Sequence, residues 1–135
     1  MKYVLDSCAL IAFIRDEDGA DVIEQILLDG TSTVMMHAVN VCEVYYDCMR
    51  TVGKEQADRV VDSLASGNVI IREDMDAPFW KFAGSVKAGG RISLADTFAI
   101  ALAARENATL LTSDHHEFDP YVAKSDFSVH IKFIR

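Results

Sequence analysis

An α/β layered domain with a mainly parallel sheet is the fold class this sequence predicts, on three observations. Apolar runs of strand length alternate with segments of helical period along the whole chain. The length, 135 residues, fits one domain spanning 1–135, large enough to fold on its own core without disulfides or a structural metal. Half the residues are hydrophobic and 25% are charged, a globular balance that excludes a disordered chain.

The elements follow in order. Tyr3–Leu5 is the first strand-like run, and Ala9–Arg15 a short helix. Asp18–Leu28 places Val22, Ile23, Ile26 and Leu27 on one helical face. Thr33–Met36 is a second strand. The Val41–Val52 helix carries Val44, Tyr45, Cys48 and Met49, and the Lys54–Ala65 helix carries Ala57, Val60, Val61 and Leu64. Asn68–Ile71 is a third strand. Ala77–Lys87 has Pro78 in its first turn, where a missing N–H costs little. Leu94–Arg105 is nearly continuous in Leu, Ala, Phe and Ile, as a helix buried on most sides would be. Thr109–Leu111 and Val129–Phe133 complete five strands. Gly30, Gly53 and Gly67 each follow a helical run, where a left-handed capping residue belongs.

Other function classes are narrowed by charge and cysteine content. Thirteen basic and 21 acidic residues give a net charge of −8, with 12 acidic against 5 basic side chains in residues 1–67. Such a chain binds a polyanion poorly unless a metal neutralises an acidic pocket. Cys8, Cys42 and Cys48 have neither zinc-site nor C-x-x-C spacing, so reduced thiols in a cytoplasmic protein are expected. No run of about 18 apolar residues occurs, so no membrane helix is expected. The Lys2–Leu5 run, broken by Asp6, is too short for a signal peptide.

In an open parallel sheet, ligands bind beyond the carboxyl ends of the strands. Four acids fall there. Asp6 ends the first strand and Asp114 follows the fourth, while Glu43 and Asp96 are placed in the first turns of their helices. Each alone reads as a helix cap: Asn40-x-x-Glu43 and Ser93-x-x-Asp96 have capping-box spacing, and Asp6 and Asp114 suit helix starts. Four acids from four separate elements on one edge are more than capping requires. Together they repel one another unless a cation joins them, and hard oxygen donors suit Mg2+ or Mn2+. Divalent ions so held serve phosphodiester hydrolysis.

These residues resemble the PIN-domain ribonucleases, and within them the VapC toxins of toxin–antitoxin pairs. The matching blocks are Val4-Leu5-Asp6-Ser7 with Ala9-Leu10-Ile11-Ala12, Val41-Cys42-Glu43-Val44-Tyr45-Tyr46, Ser93 to Ala103, and Leu110-Leu111-Thr112-Ser113-Asp114 with Phe118. The resemblance covers residues 2 to about 133. It implies a three-layer α/β/α domain with about five strands and Mg2+- or Mn2+-dependent endoribonuclease activity. Asp6, Glu43, Asp96 and Asp114 are then the catalytic and metal-holding quartet, with Ser7, Asn40, Thr112 and Glu117 in support. It further implies an RNA substrate, a homodimer formed through the Val41–Val52 and Lys54–Ala65 region, and a VapB-like antitoxin, from which the acidic quartet is expected to attract an Arg or Lys to Asp6 and Asp96. The alternatives are a stand-alone PIN nuclease in RNA processing and a PIN fold that only binds. A phospho-acceptor domain is disfavoured, because Asp6 has no acidic neighbour and Lys132 lies within a strand. A haloacid-dehalogenase-type phosphatase is disfavoured because Cys8 stands where a second Asp is needed.

Of the remaining features, His115 and His116 read as a solvated loop pair, and His37 and His130 as structural. Trp80 reads as core or interface. Lys81, Lys87 and Arg91 read as a solvated face or as phosphate contacts beside the acids.

Overall fold

The computed structural model describes residues 1–124 and 126–135. Among these residues five strands, β1 (Lys2–Leu5), β2 (Thr33–His37), β3 (Val69–Arg72), β4 (Thr109–Thr112) and β5 (Ile131–Phe133), form one sheet in the order β3-β2-β1-β4-β5. Every pairing is parallel. Among the described residues seven helices cover it: α1 (Ser7–Ile14), α2 (Ala20–Leu28), α3 (Ala38–Val52), α4 (Lys54–Ser66), α5 (Ala77–Ala88), α6 (Leu94–Glu106) and α7 (His115–Val122). The domain is therefore α/β/α: the parallel α/β class is as the alternation of runs predicts, and the three layers are as the resemblance implies.

Period-2 alternation divides the core between the layers. Val4, Met35 and Leu110 point to one face, where they pack with Phe79 and Ala83 of α5, Phe98 to Ala103 of α6, and Phe118 and Tyr121 of α7. Leu5, Val34, Met36 and Leu111 point to the other, against residues of α1, α2, α3 and α4. Helix α6 is buried continuously from Asp96 to Ala103, which its unbroken apolar sequence requires. The chain starts at the centre of the sheet, builds outward through β2 and β3, then returns past β1 to place β4 and β5. The strand order reverses between β1 and β4, and a crevice opens there at the carboxyl ends.

Turn chemistry departs from expectation in places. Gly53 has φ +93°, but Gly67 has φ −90° and Gly30 is not in the left-handed region. Among the described residues the left-handed ones are instead Asp16, Gly19, Asn68 and Asn107 besides Gly53, so Asn, tolerant of that conformation, follows both α4 and α6. The segment after β4 is not a loop. It forms α7, with His115 in its first turn and Pro120 inside it. His115 pairs through Nδ1 with Asp119 Oδ1 (2.9 Å) and through Nε2 with the Arg135 carbonyl (2.9 Å), both of them acceptors, and its ring stacks on Phe133 at 3.8 Å. Those contacts bind α7 to the strand edge.

Candidate active site

Asp6 stands one residue beyond β1 and is fully buried. It caps α1: Oδ1 accepts from the Ala9 N–H at 2.8 Å. Its other oxygen accepts from the Thr112 hydroxyl. Thr112 Oγ1 in turn accepts from the Asp114 N–H at 3.0 Å. One threonine at the end of β4 thus fixes the acids that follow both central strands. Asp114 caps α7 by accepting from the Glu117 N–H at 3.1 Å.

Asp96 enters from α6. Ser93 caps this helix by accepting from the Asp96 N–H at 3.2 Å. In a full capping box the Asp96 carboxylate would return to the Ser93 N–H. Here Glu117 accepts from that N–H instead, at 3.2 Å, and the Asp96 carboxylate is left to the crevice.

Glu43 enters from α3, but one turn later than expected. His37 is the cap of this helix, with Nδ1 accepting from the Val39 N–H at 3.1 Å. Asn40 is therefore a buried residue of the first turn and not a cap. Its Nδ2 donates to Glu43 Oε1 at 3.3 Å and to the Ala95 carbonyl at 3.1 Å, linking α3 to the start of α6. The Asn40 Oδ1 is buried without a partner among the described residues. His37 itself is buried in a triangle of nearly parallel rings with Phe79 and Phe98, at 5.2 and 5.1 Å from them, a structural role.

The electrostatics follow from this convergence. Burial pushes the Asp6 carboxyl up to about 7 against the hydrogen bonds from Thr112 and Ala9, with Asp96 and Asp114 pushing the same way. Burial likewise raises Asp96 to about 7, opposed by Ser93 and reinforced by Glu43, Glu117 and Asp114. The Cys8 thiol, pushed up to about 12 by burial and then by Asp6, Asp114, Asp96 and Glu43, stays protonated and is no soft ligand or nucleophile. Ser7 is buried at the start of α1. Asp96, Asp114 and Glu117 each offer an oxygen, and these atoms lie within 4.8 Å of one another. The donor set is all carboxylate, which fits a hard divalent cation.

The family profile of the PIN domain matches residues 3–121. The chain belongs to the PIN domain family. No curated protein sequence matches it significantly. Among solved structures, this PIN domain is similar to a chain of VapBC2 from Rickettsia felis bound to a DNA fragment from their promoter, with 20% identity, TM-score 0.73 and 98% of each chain covered. It is similar to VapBC-1 from nontypeable Haemophilus influenzae, with 19% identity, TM-score 0.72 and coverage of 99% of this chain and 98% of that one. It is also similar to the Mycobacterium tuberculosis toxin VapC20, described as cleaving the sarcin-ricin loop, with 14% identity, TM-score 0.69 and coverage of 89% and 95%. At these identities the likeness is one of fold.

Glu117 is the residue whose place the sequence understated. It was expected in the outer support of the site, whereas its carboxylate lies in the tight group with Asp96 and Asp114. The signal was the Asp114-x-x-Glu117 spacing, which starts a helix as the Ser93 spacing does.

Proposed function

We propose that this PIN domain is an Mg2+- or Mn2+-dependent endoribonuclease of the VapC toxin type, held in check by a VapB-like antitoxin. One observation carries the reading. At the strand-order reversal Asp96, Asp114 and Glu117 offer oxygens within 4.8 Å of one another, and burial first, then neighbouring acids, raises Asp6 and Asp96 beside them to about 7. A carboxylate cluster under that strain is completed by a divalent cation.

Asp6, Asp96, Asp114 and Glu43 are assigned as the catalytic set, with Glu117 beside them. Asp96, Asp114 and Glu117 would hold the metal, which supplies positive charge against the scissile phosphate and acidifies water for attack. Thr112 holds Asp6 and the Asp114 backbone in register. Asn40 keeps Glu43 against the start of α6. Ser7, next to Asp6 in sequence, is buried as the first residue of α1. The carboxylates would orient the attacking water.

Chains similar to this one in fold occur in VapBC complexes. We extend to this protein both an antitoxin partner and a homodimer through the α3 surface, where Tyr46, Met49 and Val52 are exposed. No described helix is long and apolar enough to cross a membrane.

The deciding experiment is cleavage of a mixed RNA pool with Mn2+, comparing wild type with Asp96→Asn. The amide keeps the side-chain shape and leaves the Ser93 cap untouched, so the variant should fold normally and lose cleavage by about a hundredfold or more. Full activity in folded Asp96→Asn protein would overturn the assignment.

A further inference from the structure

Next to the acids, the loop between α5 and α6 and one side of α7 enclose a cavity of about 380 Å3, lined by Gly90, Arg91, His116, Glu117, Tyr121 and Lys124 among others. Glu117 belongs to both: it forms a wall of the cavity and a corner of the tight carboxylate group. A polymer lying over the acids therefore has this cavity as its next stop.

We propose that the cavity is a phosphate subsite, in which Arg91 and Lys124 hold the RNA backbone beside the bond to be cut. The inference rests on the nuclease reading above and deepens it. Its first ground is the state of the cations. In a chain of net charge −8, Arg15, Arg59, Arg72, Arg105 and Arg135 are each committed to a carboxylate. Arg91 is exposed and enters no ion pair among the described residues, and Lys124 sits over the Tyr121 ring at 4.7 Å with none either. Uncommitted cations beside a carboxylate cluster suit a ligand carrying its own negative charge.

Tyr121 is the second ground. It is 5% exposed, and its buried hydroxyl has no partner among the described residues. Buried hydroxyls are partnered as a rule. This one lies against Gly90 on the cavity rim, so closely that any Cβ at position 90 would collide with it. A phosphate oxygen in the cavity, or a water bridging to one, supplies the missing partner. The fold also arranges the rim: Lys87 Nζ donates to the Ile92 carbonyl at 2.6 Å, so that lysine, expected as a possible phosphate contact, is spent on holding the loop that carries Arg91.

The test is binding of a fluorescein-labelled single-stranded RNA of mixed sequence, followed by anisotropy with Ca2+ in place of Mg2+. The Arg91→Ala/Lys124→Ala double variant should bind about tenfold more weakly. Its plot of log affinity against log salt should be shallower by about 1.4, since single strands release about 0.7 counterion per cation. Tyr121→Phe should weaken binding by about threefold. Lys2→Ala, at the amino end of β1 and so on the opposite edge of the sheet, should change neither quantity. Unchanged affinity and slope in the double variant overturn the subsite, as does an equal loss in Lys2→Ala or no RNA binding by wild type. Cleavage with Mn2+ separates this from the nuclease reading. Wild-type protein that binds through Arg91 and Lys124 yet leaves RNA uncut overturns the nuclease reading and keeps the subsite. Cleavage of equal efficiency in wild type and double variant overturns the subsite alone.

Discussion

Asp96 is available for chemistry because another residue takes over its capping duty. Glu117 accepts from the Ser93 N–H at 3.2 Å, and the carboxylate that would have closed the capping box faces the crevice. Glu117→Gln keeps an acceptor for that N–H while removing a charge from the group. Its melting temperature without metal should match or exceed the wild-type value, and Mn2+ affinity by calorimetry should fall about tenfold or more. Equal Mn2+ affinity would remove Glu117 from the site. The raised carboxyls carry a second expectation. Asp6 and Asp96 bind their protons more tightly in the folded chain than in the unfolded one, at about 7 against 3.8. Their contribution to stability is therefore present in full below pH 3.8 and is lost as pH rises toward 7. Chelator-treated protein should melt at progressively lower temperature between about pH 4 and pH 7. Saturating Mn2+ should reverse the trend, because the metal binds the deprotonated form. A melting temperature that is flat with pH and blind to Mn2+ would contradict both.

At the scale of elements, the sequence exposed whatever local period controls. Five strands and six helices were legible because each has an apolar run of period 2 or 3.6, and α6 because it is apolar all round. Helix α7 was hidden: it is eight residues long, opens with two histidines and contains Pro120. Its order comes from Asp114 at its start and from His115 against Phe133, a contact made across the sheet edge. The cap of α3 was hidden for a similar reason. Asn40 has the sequence of a cap, but His37 takes the position once Phe79 and Phe98 enclose its ring. The places of Asp6 and Asp114 were legible because the ends of β1 and β4 were, whereas Glu43 falls a turn deeper in α3 than its sequence suggests and the place of Glu117 depends on α7. Glycines show the same dependence on context. Gly19 precedes α2 with φ +93°, and a Cβ there would come within 2.7 Å of the Ile134 carbonyl oxygen. Gly84 lies within α5 with nothing in 4 Å of such an atom. Gly19→Ala should cost more than about 1 kcal/mol, whereas Gly84→Ala should add about 0.5–1 kcal/mol, both by chemical denaturation. A neutral Gly19→Ala would mean that the α2 start can move away from the carboxyl-terminal segment.

The whole molecule presents a charge asymmetry that bears on its control. Residues 1–67 contain 12 acidic and 5 basic side chains, and the buried acids of the crevice add a focused negative field at the carboxyl edge of the sheet. On the same half lie the exposed apolar residues Tyr46, Met49 and Val52 of α3 and Leu28 at the end of α2. A partner matched to both features carries a basic side chain for the crevice and an apolar stretch for the helices. Arg suits the first task, since its planar fork pairs with two carboxylate oxygens at once. An antitoxin of this kind competes with the metal for the same charge, so Mn2+ and antitoxin should each weaken the binding of the other. Purified complex should be inactive on RNA. Replacing the antitoxin's inserted Arg with Ala should restore cleavage without dissociating the complex, because the apolar stretch keeps most of the contact. Added salt should loosen the wild-type complex only modestly for the same reason. Co-purification of the protein with the product of a neighbouring small reading frame, followed by an RNase assay at rising Mn2+, tests all of this together. A bound partner that leaves cleavage intact at every Mn2+ concentration would set aside inhibition at the acids and leave a PIN nuclease acting without an antitoxin.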